Sequence, residues 1–140
     1  MKNIFIDTNV IIDFLGNRES FSNSATELFD LYADNKKKIF ISSTSYTNVY
    51  YLLYNQIKSH KTVISLLSTL FEITELIDTN NNIISQSLHS EFLDFEDAIQ
   101  FYAALSNKKI EIIVSRDKKG FKKSTLPVMD VEQALRVCLQ

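Results

Sequence analysis

Apolar positions along the chain fall into short unbroken runs that alternate with stretches of helical spacing. Asn3-Ile4-Phe5-Ile6 is a β-branched run stopped by Asp7-Thr8-Asn9, the pattern of a buried strand that ends in a turn. Val10, Ile11, Phe14 and Leu15 then recur at helical spacing. Ser22, Asn23 or Ser24 can cap a second helix carrying Ala25, Leu28, Phe29 and Tyr32, and Lys36, Lys37 and Lys38 read as its solvated, cation-favouring end. Ile39-Phe40-Ile41 predicts a second strand, and any of Ser42, Ser43, Thr44 and Ser45 can cap the helix that bears Tyr46, Val49, Tyr50, Leu53 and Ile57. A break at Ser59 and His60 separates this helix from another apolar face at Val63, Ile64, Leu67, Leu70 and Phe71. The period-two run from Ile73 to Ile77 predicts a strand, and residues from Ile83 to His89 predict a short helix. Ala98, Phe101, Tyr102 and Leu105 follow the i, i+3, i+4, i+7 rule of a helix, and the run from Ile110 to Val114 is the clearest strand, ending in Ser115-Arg116-Asp117.

Strands of this kind alternating with amphipathic helices imply βαβ units, hence an α/β fold whose mainly parallel central sheet carries helices on both faces. The chain shows no internal repeat, and one Pro and two Gly leave no stretch that reads as a linker, so residues 1–140 are expected to form a single domain. In such sheets ligands bind beyond the carboxyl ends of the strands, where the strand order reverses. Asp7 follows the first predicted strand and Asp117 the fourth.

Composition narrows the chemistry. With 17 acidic and 15 basic residues the formal charge is −2, which excludes binding to nucleic acid by overall charge while leaving room for local basic patches. The lone Cys138 excludes an intramolecular disulfide and reads as a small apolar residue. The apolar stretch at the N-terminus meets Asp7 too soon for a signal sequence or a membrane span, so a cytoplasmic protein with no membrane contact is expected.

A third carboxylate region, Asp94-Phe95-Glu96-Asp97, opens the helix that bears Ala98 and Phe101, with Asp97 one position before its core face. Each acid has a purely structural reading: Asp7 as a helix cap, Asp94 and Asp97 as a capping pair, Asp117 as part of a charged turn. Gathered at one sheet edge they repel one another, and hard oxygen ligands of this kind suit Mg²⁺ or Mn²⁺. His60 and His89 have no Ser or Cys partner in a recognisable frame and read as surface residues.

Three blocks carry a family resemblance: Ile6-Asp7-Thr8-Asn9-Val10-Ile11-Ile12-Asp13-Phe14-Leu15, then Asp94-Phe95-Glu96-Asp97-Ala98-Ile99-Gln100, then Ile113-Val114-Ser115-Arg116-Asp117-Lys118-Lys119-Gly120-Phe121. Their order and separation resemble the signature blocks of the PIN domain family over essentially the whole chain. The resemblance implies a three-layer α/β/α sandwich and metal-dependent cleavage of RNA, as in VapC-type toxins of toxin–antitoxin modules. It implies Asp7, Asp97 and Asp117 as catalytic, metal-binding acids, with Asp94 where some members have an additional acid. Asn9 matches a polar residue that steadies the first acid, and Ser115 a hydroxyl residue beside the last. Asp13 reads as structural, being nearly two helical turns beyond Asp7.

The family's remaining acid is a Glu on the helix after the second strand, where this chain has Asn48. An Asn carbonyl can ligate Mg²⁺ or hold a bound water, but it adds no charge and cannot act as a base. Arg116, Lys118 and Lys119, with Lys122 and Lys123 close by, are candidates for contact with RNA phosphates. Tyr46, Tyr50 and Tyr54 share a helix face better suited to packing or a dimer contact than to base stacking. An antitoxin partner and a homodimer are implied by resemblance alone. Two other readings stand beside the ribonuclease: a PIN-like binding domain weakened or disarmed at Asn48, and a phosphoacceptor signalling domain. The second lacks the acidic pair expected after the first strand, since Thr8 and Asn9 follow Asp7.

Overall fold

Five parallel strands in the order β3-β2-β1-β4-β5 form the centre of the protein. They are seen in a computed structural model that describes residues 1–16, 21–33 and 38–138. The chain runs through β1 (Ile4–Ile6), α1 (Thr8–Leu15), α2 (Ser22–Ala33), β2 (Ile39–Ser42), α3 (Ser43–Ile57), α4 (His60–Ile73) and β3 (Glu75–Ile77). It continues through α5 (Asn81–Leu88), α6 (Phe95–Leu105), β4 (Ile112–Val114), a 3₁₀ turn (Lys119–Phe121), β5 (Val128–Met129) and α7 (Val131–Cys138). Lys36 and Lys37 of the expected helix end lie outside the described residues, and Lys38 is exposed, 3.9 Å from Glu75 across the sheet edge.

The pleat sorts each strand between two cores. Ile4, Ile6, Ile39, Ile41, Ile112 and Val114 face one side, where α1, α2, α3, α4 and α7 cover them. Phe5, Phe40 and Ile113 face the other, against Ile83 of α5 and Ile99, Phe101, Ala103 and Ala104 of α6. Successive side chains of a strand point to opposite faces, so strands apolar at every position require helices on both, and the α/β/α sandwich follows.

Two boundaries differ from the periodicity. Helix α4 runs on through Ile73, where a strand is expected, and Thr74 closes it by donating from Oγ1 to the Leu70 carbonyl at 2.7 Å. The last strand and helix, β5 and α7, go beyond the elements read from the sequence. Helix α3 ends at Lys58 in a left-handed conformation with φ of 60°, one residue before the expected break.

The order of strands reverses at β1 and β4. These two pair with Ile6 beside Val114, and the Asp7 amide donates to the Val114 carbonyl at 3.0 Å. The carboxyl ends of both strands therefore open onto one crevice.

Candidate active site

Asp7 leaves β1 and caps α1, because its carboxylate accepts from the Thr8 amide at 2.8 Å. The same Oδ1 accepts from Gln100 Nε2 at 3.1 Å, while Oδ2 accepts from Ser115 Oγ at 2.8 Å and Asn9 Nδ2 at 3.3 Å. The side chain is 4% exposed. Burial pushes its carboxyl above the usual range, and the hydrogen bonds from Gln100, Ser115 and Thr8 pull it back. Ser115 also accepts from the Asp117 amide at 3.0 Å, so one hydroxyl ties the turn after β4 to the acid after β1.

Asp94 caps α6 by accepting from the Asp97 amide at 3.0 Å. The structural roles seen in sequence thus coincide with a place at the cleft. Asp7, Asp94, Glu96, Asp97 and Asp117 line one cleft of about 340 Å³, together with Leu52 of α3 on its wall. Burial, followed by repulsion from Asp7, Asp94, Asp117 and Glu96, pushes the Asp97 carboxyl up to about 7. Glu96 is raised as well, by burial and then by Asp7 and Asp94.

Gly120 is pressed between two of these acids. Its amide donates to Asp117 Oδ1 at 3.1 Å, and a Cβ at this position would collide with Asp97 Oδ2 and stand 2.6 Å from Asp117 Oδ2. Both carboxylates therefore lie against the same glycine.

Other candidates are sorted by the fold. Asn48 is half-buried on α3, one turn before Leu52, which stands on the cleft wall. Arg116 also lines the acid cleft and is held there by the buried Asp13, with Nε 2.6 Å from Oδ2 and Nη2 3.2 Å from Oδ1, and its guanidinium lies 4.5 Å over the Phe21 ring. Asp13 is thus a structural counterion. Lys118 turns toward Gln133 of α7 at 3.0 Å. Lys119 instead lines a groove of about 700 Å³ with Lys122 and Lys123, and that groove shares Asp94, Asp97 and Asp117 with the acid cleft.

His60 and His89 are exposed and bond to Tyr50 and to the Ser85 carbonyl. Tyr46 and Tyr50 pack against the core, whereas Tyr51 points to solvent. Cys138 is buried against the Tyr32 hydroxyl.

Sequence reading assigned no role to Glu96, Gln100 or Gly120. The signal for Gln100 was a single amide inside the otherwise apolar face of α6, where Ala98, Ile99, Phe101, Ala103 and Ala104 are all buried.

The donors of the cleft are carboxylate oxygens, the ligands of hard divalent cations. Among the described residues no three His, Cys, Asp or Glu side chains close on one point as a coordination shell. Mg²⁺ needs no such shell, since it usually keeps several waters and takes one or two carboxylates. The pair against Gly120, beside the buried Asp7, fits that mode.

Comparison with known proteins agrees over nearly the full length. The family model described as PIN domain matches residues 3–119. Ribonuclease VapC1 of Aquifex aeolicus (strain VF5) is 26% identical over 137 residues, covering 94% of this chain and 92% of that protein. The DNA-bound VapBC structure from Salmonella typhimurium superposes with a TM-score of 0.71 at 16% identity, covering 94% of this chain and 99% of that one. VapC20 of Mycobacterium tuberculosis, described as a Sarcin-Ricin loop cleaving toxin, gives a TM-score of 0.62 at 19% identity over 79% of this chain and 87% of its own.

Proposed function

Because the chain belongs to the PIN domain family, we propose that it is a Mg²⁺- or Mn²⁺-dependent endoribonuclease and the toxin of a toxin–antitoxin pair. The observation that carries this reading is the cleft at the carboxyl ends of β1 and β4, where five carboxylates from three parts of the chain meet. Similarity to a ribonuclease over 94% of the chain supports it.

In this reading Asp7, Asp97 and Asp117 hold the cation, with Asp94 adding charge beside them. When bound, the cation supplies an activated water and neutralises charge at the phosphoryl centre. Asn9 and Ser115 keep Asp7 oriented through the bonds to Oδ2. Lys119, Lys122 and Lys123 line the route along which the RNA backbone approaches. Arg116, on the wall of the cleft and braced by Asp13, is placed to meet a phosphate, and Lys118, bonded to Gln133, shapes the loop from which Lys119 reaches the groove.

The VapBC structure similar to this fold is a complex, and it supports an antitoxin partner here. Exposed apolar side chains on α4, among them Phe71 at 60%, supply a surface for a second copy of the chain.

Asn48 favours a second reading, a PIN domain that binds RNA without cutting it, because the residue brings no charge to a helix that walls the cleft. Incubating single-stranded RNA with the purified protein in Mg²⁺, Mn²⁺ or EDTA separates the two. The nuclease cuts only with metal, and Asp7→Asn and Asp117→Asn abolish cutting without unfolding the protein. A parent that is inert while Asn48→Glu cuts establishes the second reading instead.

A further inference from the structure

Gln100 lies one helical turn after Asp97 on α6 and is 1% exposed. An apolar side chain would fill the same space without giving up hydration. The carboxamide instead brings Nε2 to three oxygens on three other segments. They are Asp7 Oδ1 at 3.1 Å after β1, Thr8 Oγ1 at 3.3 Å at the start of α1, and Ser45 Oγ at 3.0 Å in the first turn of α3. Its Oε1 is buried and has no donor among the described residues. Turning the amide over would set Oε1 against the Asp7 carboxylate, acceptor against acceptor, so the network itself fixes which end faces Asp7.

Nε2 has two hydrogens: one goes to Asp7, and the other to Ser45, the nearer of the two hydroxyls. The Ser45 and Thr8 hydroxyls, 3.0 Å apart, bond each other. One buried amide thus holds an acid of the cleft, Asp7, and joins it to the hydroxyl pair that ties α1 to α3. The helix that bears the amide also bears Asp97.

We propose that Gln100 is a positioning residue, which keeps Asp7 in register with Asp97 across the joint between β1, α3 and α6. The inference rests on the metal-dependent nuclease reading and extends it to a residue that touches neither cation nor RNA. Partners behind a ligand set its orientation, and losing one typically weakens metal affinity or activity by about 10- to 100-fold.

The test compares the parent with Gln100→Leu, Gln100→His and Ser45→Ala. It measures Mn²⁺ binding by calorimetry, RNA cleavage with kcat and KM separated, and thermal unfolding without metal. Gln100→Leu is expected to melt close to the parent yet to bind Mn²⁺ and turn over about 10- to 100-fold less well, with KM little changed. Gln100→His keeps an N–H at similar reach and recovers part of the loss. Ser45→Ala leaves the Asp7 bond intact and loses less. Parent-like Mn²⁺ affinity and kcat in Gln100→Leu overturn the proposal. Should that variant not fold, parent-like Mn²⁺ binding in Ser45→Ala together with no recovery in Gln100→His overturns it. A parent that neither binds Mn²⁺ nor cuts RNA overturns the nuclease reading, a result distinct from a parent that does both and is indifferent to residue 100.

Discussion

Asp97 concentrates the electrostatic cost of the cleft in one carboxyl group. Its affinity for a proton rises from the ordinary 3.8 to about 7, first through burial and then through four neighbouring acids. A carboxyl raised in this way takes up a proton on folding, so stability is greatest near pH 4, falls as pH rises toward about 7, and levels off above it. Glu96 and Asp7 shift in the same direction. In the absence of metal, the melting temperature is expected to fall between about pH 5 and pH 8. Asp97→Asn should flatten that fall and melt about 2–4 °C higher at the alkaline end, a comparison that scanning calorimetry makes directly. A parent whose melting point rises across the same range would contradict the assignment. At this scale the sequence was informative about identity and poor about aim. Asp7, Asp94, Asp97 and Asp117 were visible as strand-end or cap acids, and they do meet at one cleft. Nothing in a linear pattern tells that Arg116, on the cleft wall, is braced by Asp13, or that Lys118 and Lys119 diverge, because those directions are set by partners far along the chain.

The 3₁₀ turn from Lys119 to Phe121 shows how one short element sets the spacing of two others. Phe121 anchors it in the core under α6, and Gly120 lies flat against Asp97 and Asp117. The glycine has no positive φ, so what it provides is room rather than backbone freedom. Gly120→Ala is expected to fold normally while spreading the two carboxylates and weakening Mn²⁺ binding at least about tenfold, as displaced ligands do. Unchanged binding in a titration of that variant would show that the pair is not the anchor. Among the elements, the long helices and the buried strands were legible because their periods are unambiguous. The tail was not: β5 is two residues long, too short to display a period, and Pro127 precedes it. Helix α7 buries Val131, Ala134, Leu135 and Cys138 at regular helical spacing, a signal that was present in the sequence and went unread beside its charged neighbours. The extension of α4 over Ile73 has another cause. Alternation suited a strand, but the helix already packed through Val63, Leu67 and Leu70 carries on for three more residues before Thr74 closes it.

For the molecule as a whole, the net charge of −2 conceals a division. Acids crowd the cleft, Arg116 stands on its wall, and Lys119, Lys122 and Lys123 line the adjoining groove. A polyanion bound in this way is guided by local rather than total charge. Replacing the three lysines by alanine should raise KM for single-stranded RNA, leave kcat nearly intact, and flatten the salt dependence of kcat/KM. Each phosphate contact contributes a slope of about 0.7 on logarithmic axes, so the change should be about two. A variant with the parent's salt slope would place the RNA elsewhere. The α/β class and the strand-end position of the cleft followed from the alternation of buried strands with helices, because a sheet apolar on both faces has few ways to be covered. The order of the strands has a further consequence, in time rather than in space. In chain order β1 precedes its neighbour β4, and the Ser115 that grips Asp7, by more than a hundred residues. A nascent chain can dock β2 and β3 beside β1 on one flank while the other stays bare. The acid cleft is therefore incomplete on the ribosome until β4 has emerged and closed the gap. A chain cut short before β4 lacks the cleft altogether.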